Sequence, residues 1–366
     1  MTGKKKVFVA LSGGVDSSTA AALLLEAGFD CAGVFMITND RAGQAQGDAE
    51  KVAGKLGIKL YVLDLRGEFE QILNYFCSEY KRGRTPNPCV LCNRSIKFGR
   101  LLSFARDNGA ELFATGHYAR ILESGSAWGH LTPPGDALRR VGCAGLYQAA
   151  DARKDQSYAL AMIDKKVLAY TLLPMGDYSK EQTREMAKKF GLGLEGKKES
   201  QEICFIPDND YVAVLEALWP ELIRKGKIVD STGKVLGEHN GIHRFTIGQR
   251  QGLRVAMGKP YYVVRIDAET NTVTLGPKEE VMHKRLSATG VNWLIDRPQA
   301  SFRARVRVRY NNRGAQATVF PEDDSVTVEF DEPIAAITPG QLAVFYIQEG
   351  QNSRVAGGGW IKDATD

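Results

Sequence analysis

The stretch VFVALSGGVDSSTAAALLLEAG, residues 7–28, decides the fold of this chain. Its first five residues are apolar without a break, which is typical of a strand buried on both faces of a parallel sheet. Residues 17–27 carry apolar side chains at helical spacing, and Gly28 follows as a helix stop. The sequence therefore predicts a strand, a glycine-containing turn and a helix, the opening unit of an α/β fold.

The same alternation continues through the first two hundred residues. Apolar runs at residues 30–37, 59–64 and 112–115 predict further strands, and the segments 48–56 and 68–80 predict the helices between them. Continuous apolar strands separated by amphipathic helices indicate a parallel sheet covered on both faces. Ligands usually bind at the carboxyl ends of such strands.

From about residue 225 the pattern changes to short strands separated by turns. Strands are predicted at residues 227–229, 235–237, 261–266, 272–275, 304–310, 315–320, 325–330 and 341–346. We expect three domains: an α/β catalytic domain over residues 1–207, a small β-rich central domain over residues 208–282, and a β-barrel or sandwich over residues 283–366. For the last domain we take the barrel as the expectation.

The composition is that of an ordinary globular protein. The 366 residues are 43% hydrophobic and 25% charged, which excludes disordered and fibrous classes. No apolar run approaches the ~18 residues that a membrane helix needs, and the first run is too short for a secretion signal. We therefore expect a cytoplasmic protein whose six cysteines are mostly reduced thiols. The net charge of +5 is weak evidence of an anionic partner.

The motif SGGVDSS, residues 12–18, lies between the first strand and the first helix. Glycines let the backbone approach an anion, and a helix N-terminus offers free N–H groups. Ser17 or Ser18 is expected to cap the helix and to donate to a phosphate. The lysine of a Walker A loop is absent, so kinases and GTPases of that class are disfavoured. A plain tight turn is the alternative, but the whole strand–loop–helix unit favours phosphate binding.

This unit resembles the pyrophosphate loop of ATP pyrophosphatases, which cleave ATP between the α- and β-phosphates. Six further segments occur in the order found in the tRNA-specific 2-thiouridylase family, so the resemblance covers essentially the whole chain. They are TPNPCVLCN at 85–93, GHY at 116–118, KDQSY at 154–158, EICFI at 202–206, GQR at 248–250 and TPGQ at 338–341. The resemblance implies an adenine nucleotide alpha-hydrolase-like, Rossmann-like first domain and a tRNA-binding C-terminal barrel.

The resemblance also implies a reaction. These enzymes convert the wobble uridine of tRNA, position 34, to 2-thiouridine by adenylating O2 with ATP and delivering sulfur as a cysteine persulfide. ATP with Mg²⁺, tRNA and a sulfur-donor protein, a cysteine desulfurase or a sulfur relay protein, are the implied partners. Two rival functions share only part of the pattern: an amide-forming ligase with the same loop, and a non-catalytic RNA-binding protein.

Site residues follow from the resemblance, position by position. Cys92 matches the nucleophile and Cys204 the persulfide carrier, and the two are expected to form a transient disulfide. The positions that match the ATP site are Ala10, Leu11, Ser12, Gly13, Gly14, Val15, Asp16, Ser17, Met36 and Gly116. The positions that match tRNA contacts are Asn87, Pro88, Cys89, His117, Lys154, Asp155, Gln156, Arg309, Tyr310 and Gln341.

The residues around the two thiols agree with those roles. Two prolines in residues 85–88 stiffen the loop before Cys92. Cys204 follows Gly193, Gly196 and the pair Lys197–Lys198, a basic stretch expected to allow movement and to lower the pKa of that thiol. A buried structural cysteine is the commoner role for a lone Cys, and redox or zinc chemistry for a lone CxxC. Zinc is disfavoured because four ligands are not at hand.

Residues 302–310 read FRARVRVRY, with arginine at every second position from 303 to 309. On a strand these four arginines share one face, and the apolar residues share the other. Because no acid is interleaved, we expect this face to contact RNA phosphates, with a solubilising barrel surface as the alternative.

Cys89 is a departure from the family pattern, since well-known members carry Asp at this position. In one interpretation Cys89 replaces a polar contact, and Cys92 with Cys204 perform the persulfide chemistry. In the other, Cys89, Cys92 and Cys204 ligate three irons of a [4Fe–4S] cluster. We prefer the persulfide route because the Cys92 and Cys204 pair suffices for it.

Overall fold

The computed structural model describes residues 4–123, 144–194, 196–197, 203–253, 255, 258 and 260–366. The strands of its N-terminal part are β1 (Lys6–Ala10), β2 (Asp30–Ile37), β3 (Lys59–Asp64), β4 (Leu112–Ala114), β5 (Ala119–Glu123), β6 (Ala144–Gln148) and β7 (Thr171–Leu172). Five of them form a parallel sheet in the order β3-β2-β1-β4-β7. The expected parallel α/β sheet is confirmed.

Helices lie between and after these strands. They are α1 (Val15–Glu26), α2 (Gly43–Leu56), α3 (Arg66–Lys81), α4 (Pro88–Leu91), α5 (Leu102–Asp107), α6 (Lys180–Lys189) and α7 (Tyr211–Leu218). Between α4 and α5 the chain continues as a π-helical segment, Cys92–Leu101. Such segments are rare and are frequent at functional sites.

The order of the strands in the parallel sheet indicates where a ligand-binding crevice lies. β2 lies on one side of β1, and β4 lies on the other. The strand order therefore reverses between β1 and β4, and in open α/β sheets the crevice at the carboxyl ends of such a pair binds ligands. The loop that follows β1 and the segment that follows β4 face each other there.

The first strand is buried on both faces, as its apolar run predicts. Phe8 packs with Phe113 and Ile96 on one side of the sheet. Val7 and Val9 pack against Leu24 of α1 on the other side, and both are fully buried. Burial on both faces explains why β1 has no polar alternation.

The central part is a four-stranded sheet. Its strands are β8 (Gly226–Asp230), β9 (Val235–His239), β10 (Tyr262–Asp267) and β11 (Thr272–Gly276), in the order β10-β11-β8-β9. Ile228, Val263 and Val273 form its buried core. A small β-rich central domain was the expectation, and it is confirmed.

The C-terminal part is a closed barrel of six strands. They are β12 (Met282–Trp293), β13 (Phe302–Arg307), β14 (Ala315–Pro321), β15 (Ser325–Ala335), β16 (Leu342–Glu349) and β17 (Asn352–Thr365). Pairing of β12 with both β15 and β17 closes the ring, so the barrel expectation is confirmed and the sandwich is wrong. The hairpin of β5 and β6 adds to this sheet beside β17, so a part of the first predicted domain pairs with the last.

Five strands of the described part were not predicted: β5, β6, β7, β12 and β17. Three barrel strands are also longer than the short strands expected, with 12 residues in β12, 11 in β15 and 14 in β17. No helix in the described part of the chain is long and apolar enough to cross a membrane.

Candidate functional site

The loop between β1 and α1 is a tight turn that only glycine can make. Gly13 has φ +70°, and a Cβ there would collide with the carbonyl oxygen of Ala45 in α2. The N-cap of α1 is Gly14, with no side-chain cap. The expectation that Ser17 or Ser18 caps the helix is therefore wrong. Both hydroxyls lie inside the first turn and donate back to the carbonyl of Gly14, at 3.3 and 2.7 Å.

Asp16 lies at the centre of a polar cluster at the start of α1. Its Oδ1 accepts hydrogen bonds from the Lys180 ammonium at 2.6 Å and from the Tyr118 hydroxyl at 2.8 Å. Lys180 is the first residue of α6, and its side chain is only 9% exposed. An open helix N-terminus with a buried cation beside it favours a bound anion such as phosphate.

A second lysine, Lys197, contacts the same loop. Its Nζ donates to the carbonyl oxygen of Gly13 at 2.9 Å and to Oδ2 of Asp48 at 2.5 Å. No local pattern along the chain indicates that Lys180 and Lys197 meet at this loop, because both lie more than 160 residues from it.

Gly116 joins the loop from the end of β4. A Cβ at this position would lie 2.6 Å from the amide nitrogen of Ser17 and 2.8 Å from the carbonyl carbon of Asp16. The backbone after β4 therefore touches the start of α1, and a side chain would force them apart. Met36 is half-buried near the end of the neighbouring strand β2. The structure thus gathers the expected ATP-site residues around the crevice at β1 and β4.

The three thiols of interest form a second cluster. Cys89 lies in α4, and Cys92 is the first residue of the π-helical segment. Burial raises the pKa of both thiols above the ordinary value. Cys204 is exposed as a residue, yet packing around its sulfur raises the pKa of that thiol to about 11, with further contributions from Cys92 and Cys89. The other two thiols therefore act electrostatically on Cys204.

Lys97 is the cation of this cluster, and sequence reasoning missed it. Its charge favours the thiolate form of Cys89, Cys92 and Cys204 and so opposes the burial that raises their pKa values. Lys97 follows Cys92 by five residues. In a π-helix the hydrogen bonds join residues five apart, so the two side chains share one face. That spacing is the signal that could have identified it.

His117 connects Lys97 to the end of β4. The Lys97 ammonium lies 3.4 Å from Nε2 of His117, and the Thr115 hydroxyl lies 2.7 Å from Nδ1. Burial, together with the Lys97 charge, holds the pKa of His117 well below its usual range. The imidazole is therefore neutral, with Nε2 accepting from the ammonium and Nδ1–H donating to Thr115.

The segment that carries Cys204 is anchored by its aromatic neighbour. The Phe205 ring contacts Phe69 and Phe76 of α3, with centroids 5.6 and 5.3 Å apart. The expectation that Lys197 lowers the pKa of Cys204 is wrong, because Lys197 is bound to Asp48 and Gly13, and burial raises that pKa instead. Lys198 and Glu202 of the quoted motifs lie outside the described residues.

The alternative of an iron–sulfur cluster can be compared with this geometry. Within the described ranges, no three His, Cys, Asp or Glu side chains are placed to hold one metal ion. A [4Fe–4S] cluster binds each thiolate to a different iron, so this finding concerns single-ion sites and the cluster stays an untested alternative, through which we derive no step.

Family models match the chain in three successive parts. They are the tRNA methyl transferase HUP domain over residues 5–208, the tRNA methyl transferase PRC-barrel domain over 214–277, and the Aminomethyltransferase beta-barrel domain over 283–361. Relatives match over almost the full length. The tRNA-specific 2-thiouridylase MnmA of Syntrophotalea carbinolica is 46% identical over 366 residues, and that of Carboxydothermus hydrogenoformans is 45% identical over 376 residues; each alignment covers 98% of both chains. The chain belongs to the tRNA-specific 2-thiouridylase family.

Membership in this family makes the chain an enzyme, a tRNA sulfurtransferase. Two solved structures also show similarity. The U34-tRNA thiolase NcsA from Methanococcus maripaludis with its [4Fe-4S] cluster has 16% identity and a TM-score of 0.34 over 61% of this chain and 68% of that one. A 4-thiouridine synthetase–RNA complex with bound ATP has 19% identity and a TM-score of 0.35 over 59% and 51%. Scores this low support no argument.

The arginine face that we expect to contact RNA is mostly an internal interface. The alternation is as predicted, since Ala304 and Val306 point into the barrel core. Arg307, however, is 7% exposed and is paired with Asp155, while Arg305 donates to Gln148 and Ser353. Only Arg303 is largely exposed, and Asp331 pairs with it. The RNA-contact interpretation of Arg307 is wrong, because the N-terminal domain covers it, whereas Arg305 is half-buried and its contact with RNA stays a prediction.

The KDQ segment, residues 154–156, lies on the N-terminal side of the interface that buries Arg307. Asp155 is buried, and its carboxylate accepts from Arg307, so its expected contact with tRNA is wrong. The Gln156 backbone N–H donates to the Tyr118 carbonyl at 2.7 Å, and its side-chain oxygen accepts from the Tyr118 N–H at 3.0 Å. Lys154 is half-buried beside them. These contacts fix the segment next to His117.

The remaining positions expected to contact tRNA include residues of the thiol loop, Thr85–Pro88, which leads to Cys89, and Gln341, which contacts it. Tyr310, 39% exposed, lies past the end of β13 rather than on it, close enough to Cys89 that the thiol influences the pKa of the phenol. The Asn87 side chain makes no capping bond to α4, and Pro88 is the first residue of that helix. Arg309 and Gln341 donate to protein carbonyls, the second directly to the thiol loop.

Proposed function

We propose that this enzyme converts the wobble uridine of tRNA, position 34, to 2-thiouridine in two half-reactions, an adenylation and a sulfur transfer. One observation carries the proposal: two consecutive residues join the two clusters. Gly116 packs on the pyrophosphate loop, and His117 contacts the lysine of the thiol cluster. A base held after β4 would lie within reach of both a nucleotide and a thiol.

In the first half-reaction the uridine O2 attacks the α-phosphorus of ATP. The bond between the α-phosphorus and its bridging oxygen breaks, and pyrophosphate leaves. The loop at Gly13 and Gly14 would hold the phosphates with backbone N–H groups, and Lys180 and Lys197 would offset the charge that develops on the leaving pyrophosphate. Asp16 is the acid that would hold Mg²⁺ brought in with ATP, and the ion would neutralise phosphate charge.

In the second half-reaction the terminal sulfur of a Cys204 persulfide attacks C2 of the adenylated base. The C2–O2 bond breaks, and AMP leaves with O2. The thiolate of Cys92 then attacks Sγ of Cys204, which breaks the bond to the transferred sulfur and leaves a thiocarbonyl on C2. A Cys92–Cys204 disulfide results, and an external thiol must reduce it before the next turnover.

The tRNA would reach this centre along the thiol loop. An exposed aromatic ring is a stacking platform for an unpaired base, and Tyr310 provides one beside Cys89. Asn87 would offer a polar group just before α4, and Lys154 a positive charge on the segment next to His117. A persulfide-carrying donor protein must reload Cys204. A cytoplasmic location and the domain boundaries given above stay predictions.

The family description names a methyl transferase, which is the second candidate chemistry. Three thiols beside one lysine favour sulfur transfer, since methyl transfer to a base needs no pair of cysteines. The full-length relatives carry the thiouridylase name as well.

The test is a single incubation with two readouts. Purified enzyme, ATP, a persulfide donor and unmodified tRNA are combined, and pyrophosphate release and 2-thiouridine are measured, the latter by mass spectrometry of digested tRNA. We expect thiouridine at position 34 alone. Cys204→Ser and Cys92→Ser should stop thiolation but release pyrophosphate, whereas Asp16→Ala should stop both. Methylated uridine, or thiolation in Cys204→Ser, would overturn the proposal.

A further inference from the structure

The turn Thr338–Gln341 of the barrel packs against the loop that leads to the thiols. The Thr85 N–H donates to the carbonyl of Pro339 at 3.0 Å. The side-chain amide nitrogen of Gln341 donates to two carbonyls of the loop, those of Thr85 at 2.9 Å and Pro86 at 3.1 Å. Three hydrogen bonds thus link the C-terminal barrel to the segment immediately before Cys89.

The composition of the loop explains why it needs outside donors. Pro86 and Pro88 have no N–H, so the loop cannot pair its own carbonyls as a regular turn would. Pro86 is buried, and an unpaired buried carbonyl is destabilising because it has lost its hydrogen bonds to water. One Gln341 amide satisfies two carbonyls at once and fixes the direction in which α4 begins.

Gly340 allows this close approach. It has φ +90°, and a Cβ on it would lie 2.8 Å from the carbonyl oxygen of Thr85. Any side chain would push the turn off the loop, in addition to the strain of the left-handed conformation.

The turn is itself held by residues near the candidate tRNA positions. Arg309 donates to the Thr338 hydroxyl and, at 2.7 Å, to the carbonyl of Ile247 in the central domain. The Thr338 hydroxyl donates to the carbonyl of Ala336 at 2.9 Å and is buried. Thr85 also lies 3.3 Å, hydroxyl to hydroxyl, from Thr246. All three domains therefore meet at the Thr85–Pro88 loop.

We propose that Gln341 is a positioning residue of the thiol centre: its amide holds the carbonyls of Thr85 and Pro86, so that the C-terminal barrel sets the placement of Cys89 and Cys92. This rests on the proposed sulfur transfer through Cys92. Gln341 then serves the reaction through the loop rather than by contact with tRNA. The barrel then positions the catalytic thiols, in addition to its expected contact with RNA.

A series of Gln341 variants that differ in their hydrogen-bonding groups tests this proposal. Gln341→Lys keeps an N–H donor, Gln341→Ala removes it, and Gln341→Glu puts an acceptor against two carbonyls. We expect kcat for thiolation to fall in that order, by about tenfold or more in Gln341→Ala, because small displacements of reacting groups cost large factors. KM for tRNA and ATP-dependent pyrophosphate release should stay within about twofold of wild type.

Matched controls exist in the same barrel. Gln348 donates to the carbonyl of Gly350 at 2.8 Å within its own hairpin, so Gln348→Ala removes an equivalent bond far from the loop. Gly350 has φ +58° and open space around it, so Gly350→Ala carries the backbone strain of Gly340→Ala without its collision. We expect only the Gly340 and Gln341 variants to lose thiolation.

The carboxymethylation rate of Cys92, followed by peptide mass spectrometry, provides a readout that does not depend on the reaction. It should change in Gln341→Ala and recover in Gln341→Lys. If Gln341→Ala matches Gln348→Ala in kcat and in the Cys92 rate, the proposal is overturned; a raised KM for tRNA alone would overturn it in favour of direct tRNA contact. A wild type that forms no thiouridine would instead refute the proposed function, while the Cys92 rates would still report on Gln341.

Discussion

Arg307 and Asp155 form a buried ion pair that joins the C-terminal barrel to the N-terminal domain. Nη1 of Arg307 lies 2.7 Å from Oδ2 of Asp155, with the two side chains 9% and 1% exposed. The carboxylate also accepts from the backbone N–H of Ala149 at 3.1 Å and from the Ser157 hydroxyl at 3.0 Å. Because both charges are desolvated, removing either one leaves the other without compensation.

The first prediction concerns this pair. Arg307→Met should destabilise the protein by about 3–5 kcal/mol, the usual cost of leaving one buried charge unpaired. Arg303→Met is the control, because its pair with Asp331 is half exposed and such surface pairs contribute about 0–1 kcal/mol. Thermal unfolding of both variants measures the difference. Equal melting temperatures for the two variants would contradict the role of the pair.

RNA binding by the Arg307 variant separates the two interpretations of the arginine face. A phosphate contact would make the salt dependence of tRNA affinity shallower. Since Arg307 faces Asp155, we expect the salt slope to stay that of wild type, measured below the unfolding temperature. A shallower slope would restore the phosphate interpretation.

The arginine face shows what a sequence can and cannot predict. Period-two alternation correctly placed Ala304 and Val306 inside the barrel, since it depends only on neighbours along the strand. What covers the outer face depends on Asp155, 152 residues away, and no local pattern reports it. Strand β17 was not predicted for a different reason: its three central glycines, Gly357–Gly359, disfavour a strand. Gly357 is required there, because a Cβ on it would collide with the carbonyl oxygen of Asn292 in the neighbouring strand β12.

The second prediction concerns the buried lysine of the nucleotide site. Lys180→Met should reduce ATP-dependent pyrophosphate release by about a hundredfold or more, the usual cost of removing one donor aimed at developing charge. Lys188→Met is the control, because Lys188 is exposed on the same helix, α6. Pyrophosphate is measured with saturating tRNA. Release at the Lys188→Met rate would exclude Lys180 from the adenylation step.

The third prediction follows from the raised pKa of Cys204. With a pKa of about 11, about one thiol in a thousand is ionised at pH 8, and each pH unit raises that fraction about tenfold. The carboxymethylation rate of Cys204 should therefore rise about tenfold per unit between pH 7 and pH 9. His117 stays neutral over this range because its pKa is well below the ordinary value, so it should add no inflection. A rate that levels off below pH 9 would contradict the assignment.

The fourth prediction tests Lys97 on the same three thiols. Lys97→Met should slow the carboxymethylation of Cys89, Cys92 and Cys204 together, because it removes the positive charge that favours their thiolates. Lys97→Arg should retain most of the wild-type rate. Arg94→Met is the control, since Arg94 is exposed on the same π-helical segment. A loss shared by Lys97→Met and Arg94→Met would indicate a general effect of charge.

The sequence motifs did not identify Lys97 or Lys180 as residues of this site. The resemblance found Cys92, Cys204 and the pyrophosphate loop, because glycine turns and cysteines are rare enough to stand out. Lysines are common on every surface, so neither lysine was noticed. Lys180 reaches Asp16 only because α6 begins beside the crevice, 164 residues further along the chain.

The last prediction concerns Cys89, where the family resemblance would place an aspartate. Cys89→Asp should leave thiolation within a few-fold of wild type if this position only supplies a polar contact beside the base. Cys89→Ser should behave similarly, since a hydroxyl also offers that contact, while Cys92→Ser serves as the inactive control. All four proteins are purified without oxygen, and iron, sulfide and thiouridine are measured on each. We expect active, iron-free wild type, because the Cys92 and Cys204 pair suffices for the transfer. Stoichiometric iron in wild type, lost together with activity in Cys89→Ser, would replace the persulfide route with a cluster that uses all three thiols.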